Sequence, residues 1–196
     1  AVATDGHRLA YASVEIEAEL PRQEMILPRK TVLELNRLLV DTDDVLNITL
    51  TANQVYNGFG CSGQNQSPTL QWNGAPAGTK SYALTVYDPD APTGSGWWHW
   101  VVFNIPAEAQ GLPAQITAAG QGLPAGAIQS QTDFGQPGFG GACPPVGDKP
   151  HRYQFTLHAL KVARLDLPAS SMPALVGFMI HANELASTRF TAYYGR

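Results

Sequence analysis

Three short clusters hold the residue types with the most chemistry. They are Tyr87-Asp88-Pro89-Asp90-Ala91-Pro92, Trp97-Trp98-His99-Trp100, and Phe139-Gly140-Gly141-Ala142-Cys143-Pro144-Pro145 followed by His151-Arg152-Tyr153. The prolines of the first fix the backbone, so the carboxylates of Asp88 and Asp90 are presented at small entropic cost. Three indoles around one imidazole predict an apolar wall with a titratable centre at His99. The paired glycines permit positive φ and can turn backbone N–H groups toward an anion. Asp88, His99 and His151 could therefore bind an anion, hold a metal as two histidines and a carboxylate, or act as an acid–base pair in hydrolysis. No serine stands in a nucleophile-elbow context. Taken singly, each cluster also has a plainer reading: an Asx turn, a satisfied core histidine, a glycine loop. Spacing alone does not bring the three together. His158 and His181 lie in apolar patterns and read as structural.

The elements that must position these clusters are mostly strands. Apolar, β-rich runs at residues 81–87, 100–105 and 153–160 are separated by Gly/Pro clusters, with long loops at 88–96 and 133–150. One late stretch, roughly 171–185, reads as a helix. Strands first and a late helix predict a mainly β fold, an antiparallel sheet sandwich with peripheral helices. The first 54 residues have a different texture. Leu9 and Tyr11 read as strand, residues 25–27 as a short strand, 30–40 as a helix with Leu35, Leu38 and Leu39 on one face, and Leu46, Ile48 and Leu50 as an alternating strand. This predicts an N-terminal β-α-β appendage.

Charge marks the same division. The first 54 residues carry five Lys/Arg and nine Asp/Glu, a balance of −4, whereas residues 55–196 carry seven of each. An overall charge of −4 argues against non-specific binding to nucleic acid or to an anionic membrane. No apolar run reaches the roughly 20 residues that span a bilayer, and residues 1–10 do not read as a signal peptide, so a cytoplasmic location is expected. Cys61 and Cys143 lack CxxC spacing and a histidine partner set, which disfavours zinc; in a reducing cytosol both are expected to be free thiols.

The stretch SYALTVYDPDAPTGSGWWHWVVFNIP, then TDFGQPGFGGACPPVGDKPHRYQFTLHAL, with VYNGFGCSGQNQSPTLQWNGAPAGTKS before and ELASTRFTAYYGR after, strongly resembles the bacterial branch of the phosphatidylethanolamine-binding, Raf-kinase-inhibitor-like family over about residues 54–196. The resemblance implies a large antiparallel sheet packed on a smaller one, with a shallow pocket for phosphate or phosphorylated head groups. Carried over by motif, Asp88 lines that pocket, with Asp90 and Pro92 shaping its loop and Trp97 forming part of the wall. His99 and His151 face the anion, Tyr153 donates a hydroxyl, and the backbone from Gly141 to Cys143, ahead of Pro144, donates N–H groups. Asp88 facing an anion makes sense if it orients and charges a histidine, raising that histidine's pKa. The resemblance also places Cys61 and Cys143 beside the pocket, close enough for a disulfide under oxidation. The function implied is a small-anion or head-group binder, with regulation of a kinase or other protein partner as a family analogy. No catalysis, cofactor or metal is expected, with a metal-dependent or acid–base hydrolase as the alternative.

Residues 1–55 resemble something else. VATDGHRLAYASV, EMILPRKTVLELNRLLVDTDD and LNITLTANQV are similar to the middle domain of the bacterial DNA polymerase III beta subunit, the sliding clamp. The expected organisation is a chimera: an incomplete clamp-like fragment, 1–54, and a binding domain, 55–196. Clamp activity is not expected, because a ring needs whole domains. The strand around Leu46–Leu50 is expected to pair with the second segment, and an unpaired edge there would give a route to homodimers.

Overall fold

A computed structural model describes residues 2–4, 9–11 and 48–196. The chain divides into two compact units, residues 1–46 with 72–74, and residues 47–71 with 75–196. In the first unit, β1 (Val2–Thr4) pairs antiparallel with β2 (Leu9–Tyr11), Ala3 facing Ala10. The strand expected at Leu9 and Tyr11 is therefore present. Of the β-α-β appendage expected for residues 1–54, residues 12–47, including its helix, lie outside the described residues.

The second unit is built on a six-stranded sheet. Its members are β3 (Ile48–Thr49), β7 (Ser81–Asp88), β8 (Trp97–Pro106), β10 (Ile128–Gln129), β11 (His151–Leu160) and β12 (Glu184–Tyr194). Their order across the sheet is β10-β8-β7-β11-β12-β3. All neighbours are antiparallel except β12 and β3, which run parallel with Ala192 opposite Ile48. The strand expected before the junction thus pairs with the second segment. Two ribbons accompany the sheet: β4 (Asn57–Gly58) with β5 (Cys61–Ser62), and β6 (Leu70–Gln71) with β9 (Gly111–Leu112). The fold is mainly β and antiparallel, as expected. It has one helix among the described residues, α1 (Pro173–Asn183), within the late stretch that reads as helical.

Packing explains why the central strands are the ones legible in sequence. β7 is buried along almost its whole length, the pattern of a strand covered on both faces. Val176 and Ile180 of α1 pack with Ala83, Val101, Phe103, Leu160 and Leu165 in a buried cluster. Asn104 has a positive φ of 58° on β8 and is buried; its amide both donates to the Leu165 carbonyl and accepts from the Leu165 N–H, satisfying backbone groups that lie outside any strand. β12 is a strand that sequence reading misses. Most of its residues are exposed, so it shows no buried alternation; it is held by backbone pairing with β11 from end to end.

α1 begins with Pro173 at its first turn, where a missing N–H costs nothing. Gly177 sits in its middle, and a Cβ there would meet no atom within 4 Å. Replacing Gly177 by alanine should therefore raise stability by about 0.5–1 kcal/mol through reduced backbone entropy of the unfolded chain. Urea denaturation is the measurement, and a destabilised variant would contradict this account.

Candidate functional site

The register of the sheet gathers the three clusters. Tyr87 on β7 lies opposite Gln154 on β11 and Trp98 on β8, so the end of β7 at Asp88, the start of β8 at Trp97 and the start of β11 at His151 meet at one edge. They line a cavity of about 380 Å³ together with Phe59, Phe134, Gly141, Cys143, Pro144, Tyr153 and Arg196. Of the expected site residues, Asp88, Pro92, Trp97, His99, Gly141, Cys143, Pro144, His151 and Tyr153 all border it.

At its base is a buried ion pair. His151 Nδ1–H donates to Asp88 Oδ2 at 2.7 Å, and the two side chains are 4% and 3% exposed. Asp88 Oδ1 accepts the Asp90 N–H at 2.8 Å, an Asx turn that fixes the carboxylate. The other ring nitrogen of His151, Nε2, lies 3.3 Å from Asp148 Oδ2. Burial works against protonation of His151, but the Asp88 hydrogen bond and charge outweigh it, and Asp148 and Asp90 add to them; the net pKa is raised. His99 goes the other way. Burial dominates and lowers its pKa, although the Gly140 carbonyl and the Asp88 charge oppose this. Its Nδ1–H donates to Gly140 O at 2.7 Å, and the ring borders the cavity. The two rings are thus pushed in opposite directions, His151 toward the imidazolium by Asp88 and His99 toward the neutral imidazole by burial. Tyr153, 1% exposed, keeps its hydroxyl proton: burial pushes the phenol pKa up, and the Asp88 charge adds to the effect.

Several expectations need correction. Asp90 does not border the cavity. Its carboxylate takes the Arg152 guanidinium in a fork, with Nη2 to Oδ1 at 2.7 Å and Nε to Oδ2 at 2.9 Å, and also accepts the Arg152 N–H. It anchors the loop from outside, and Arg152 holds its carboxyl below the usual range. The three indoles do not surround His99. Trp97 borders the cavity, whereas Trp98 packs on Tyr87 at 4.5 Å and Trp100 on Phe139 at 5.6 Å, and the register of β8 against β7 shifts between them, Tyr87 opposing Trp98 and Val86 opposing Trp100. The aromatic neighbours of His99 are Phe134 and Tyr153, edge-on at 5.4 and 5.0 Å.

The glycine pair also has another reason. Neither Gly140 nor Gly141 has positive φ. A Cβ on Gly140 would sit 2.1 Å from the Phe134 ring, and one on Gly141 2.3 Å from Gln54 O. These are positions of close approach. Nor are their amides free for an anion: Gly140 N–H donates to His99 O, Gly141 N–H to Asn65 Oδ1 at 2.7 Å, and Ala142 N–H to Gln54 O. Asn65 adopts a φ of 52°, a conformation asparagine tolerates better than most residues.

Cys61 and Cys143 lie together, as the resemblance implies, and form a disulfide with a Cα separation of 5.9 Å in place of the free thiols expected for a reducing cytosol. The two-histidine, one-carboxylate metal reading also loses its geometry, because Asp88 and His151 spend their facing atoms on each other. No group of three or more metal-ligating side chains converges among the described residues. Sequence reasoning missed Phe59, Phe134 and Arg196. The Arg196 guanidinium donates to Pro144 O, Gly60 O and Phe59 O at 2.6, 2.8 and 3.2 Å, tying two rim loops together. His158 is structural as expected, bonded between Glu184 and Thr85.

The family model described as phosphatidylethanolamine-binding protein matches residues 46–195. The chain belongs to this family. Among its relatives, YbcL of Escherichia coli (strain K12) is 56% identical over 146 residues, covering 74% of this chain and 80% of that protein. YbhB of the same organism is 51% identical over 140 residues, 71% of this chain and 88% of the relative. The crystal structure of YbcL superimposes with a TM-score of 0.75, covering 76% of this chain and 92% of that one. A homologue from Chlamydia trachomatis, 26% identical, gives 0.62 over 76% of this chain and 91% of its own. Residues 1–65 match a second family model, the central domain of the DNA polymerase III beta subunit. The two matched ranges overlap at residues 46–65.

Proposed function

We propose that this protein binds a small phosphate-like anion, free or as a phosphorylated head group, in the cavity between Asp88, His99, His151 and Tyr153. The observation that carries the reading is the buried Asp88–His151 pair, whose 2.7 Å contact at the cavity base favours the protonated imidazole. Asp148 Oδ2, half-exposed, lies 3.3 Å from the other ring nitrogen of His151, Nε2, so an anion that engages this nitrogen competes with that carboxylate. The Tyr153 hydroxyl and, on protonation, His99 Nε2 are further donors. Membership of the family supports ligand binding in general; phosphate specificity and a regulatory role are parts of this proposal. A protein partner would meet Phe59 and Val146, 68% and 77% exposed near the cavity mouth. We keep the division into a clamp-like fragment, 1–54, and a binding domain, 55–196, within the same proposal, and assign no clamp activity to the fragment. The Cys61–Cys143 bridge favours an oxidising compartment over the reducing cytoplasm expected from sequence. No helix among the described residues is long and apolar enough to cross a membrane.

The sign of the pH dependence follows from His151. Its raised pKa means the charge is present below its ordinary pKa, about 6.5, and is lost as pH rises through the higher folded value. Sulfate, whose own charge is constant across this window, should therefore bind more weakly as pH rises above neutrality. Calorimetric titration at a series of pH values is the measurement. A flat profile, or sulfate binding that survives in a His99→Ala/His151→Ala variant, would overturn the proposal. Turnover of phosphoethanolamine in the same experiment would transfer the site to the acid–base reading instead.

A further inference from the structure

We propose that the Cys61–Cys143 disulfide is a redox gate on the anion cavity, tuning its affinity without holding up the fold; this rests on the anion-binding reading above. The bridge joins two walls. Cys143 borders the cavity directly. Cys61 begins β5, across the Phe59-Gly60 turn from β4, with Gly58 opposite Cys61. Both turn residues have positive φ, 51° and 81°, as a tight hairpin with the twist of its strands requires. Phe59 at that tip borders the cavity and stacks against Phe134 at 6.2 Å, so the hairpin carries an aromatic wall toward the site.

What remains after cleavage decides whether the effect is local. The base of the hairpin is fixed independently: Val55 bridges Ala142, Tyr56 N–H donates to Ala142 O, and Asn65 holds Gly141. The tip, residues 57–62, relies on the disulfide and on the Arg196 fork to Phe59 and Gly60. Reduction therefore loosens Phe59 and the Cys143 loop while the sheet stays paired. A wall that must be ordered again on binding costs affinity.

The two cysteines are not equally exposed. Cys61 is 8% exposed, whereas Cys143 is partly exposed and borders the cavity. A dithiol reductant would attack Sγ of Cys143 as its thiolate, forming a mixed disulfide and releasing Cys61 as a thiolate that takes up a proton. The second thiol of the reductant then displaces Cys143. The net reaction moves two electrons and two protons to the protein and leaves the reductant as its cyclic disulfide. An occupant of the cavity stands in the path of the first attack and should slow it.

The test uses the full chain and inorganic phosphate. Phosphate affinity is measured by calorimetry for the oxidised protein, for the protein reduced with dithiothreitol, and for a Cys61→Ser variant, which removes the bridge without changing a residue that borders the cavity. Reduced protein and variant should bind about tenfold more weakly than oxidised protein, with unchanged far-ultraviolet dichroism. By linkage, saturating phosphate should then lower the reduction midpoint of the bridge by about 30 mV and no further. Oxidised protein that fails to bind phosphate would overturn the anion reading itself. Binding within twofold across all three forms would overturn the gate alone. A midpoint that keeps falling as phosphate is raised, together with loss of the dichroism, would make the bridge a staple of the fold and also overturn the gate.

Discussion

Changing Asp88 to asparagine should weaken anion binding at neutral pH about tenfold, although it deletes a negative charge from the wall of an anion site. Direct electrostatics predicts the opposite. The expectation rests on what Asp88 does to His151. Its Oδ2 lies 2.7 Å from His151 Nδ1, and its hydrogen bond and charge keep the imidazole protonated against the pull of burial. The introduced amide can still accept the Nδ1–H bond through its oxygen, so ring orientation survives while the charge that sustains protonation is gone. Burial then prevails and His151 becomes neutral near pH 7. The net charge of the pair is zero before and after, but its positive end no longer faces the ligand. Sulfate titration distinguishes this account from simple repulsion. Affinity in the variant should recover as pH is lowered and the imidazole is protonated again. Tighter binding at neutral pH, or a deficit that persists unchanged in acid, would sink it.

Changing Gly141 to alanine should destabilise the protein by about 3 kcal/mol, in contrast to the stabilising change expected at Gly177. The new Cβ would stand 2.3 Å from Gln54 O, 2.6 Å from Tyr56 N and 2.7 Å from Val55 C. These are backbone atoms of a segment locked to the 141–143 loop by the Val55–Ala142 bridge, so no side-chain rotation relieves the contact. Moving the segment would break the Gly141 N–H bond to Asn65 and the Ala142 N–H bond to Gln54. Gly141 has ordinary φ, which makes the penalty steric and not conformational. Urea denaturation measures it, and a loss under about 1 kcal/mol would show that the two segments can separate.

The contrast between those two glycines shows where sequence reasoning stops. The motif Gly140-Gly141 announces that a side chain is unwelcome, but not why. Local chemistry points to positive φ and an amide nest; the structure gives close approach to Phe134 and Gln54, contacts set by chain segments that sequence does not rank by distance. The same limit separates the two aspartates of the Asp88-Pro89-Asp90 turn. Both are presented by a rigid loop, yet Asp88 faces a histidine inside and Asp90 an arginine outside, because the Asx turn at Asp88 aims the next carboxylate away.

By itself the sequence determined the central strands, the single late helix and the three clusters that end up together. These follow from local causes: apolar runs that must be buried on both faces of a sheet, and prolines and glycines that end strands. That Asp88 would charge a histidine followed from the family resemblance and not from local chemistry. Tertiary structure alone decided which histidine is favoured in its charged form, since burial of His99 and pairing of His151 with Asp88 push the two rings in opposite directions. It alone recruited Phe59 and Phe134 to the wall and brought Arg196 back to Gly60. It alone made a strand of Glu184–Tyr194, whose exposed side chains carry no alternation to read. The physical reason is common to all of them. Periodicity and turn chemistry report the burial of a residue by its near neighbours, whereas sheet register and loop closure fix which distant side chains meet.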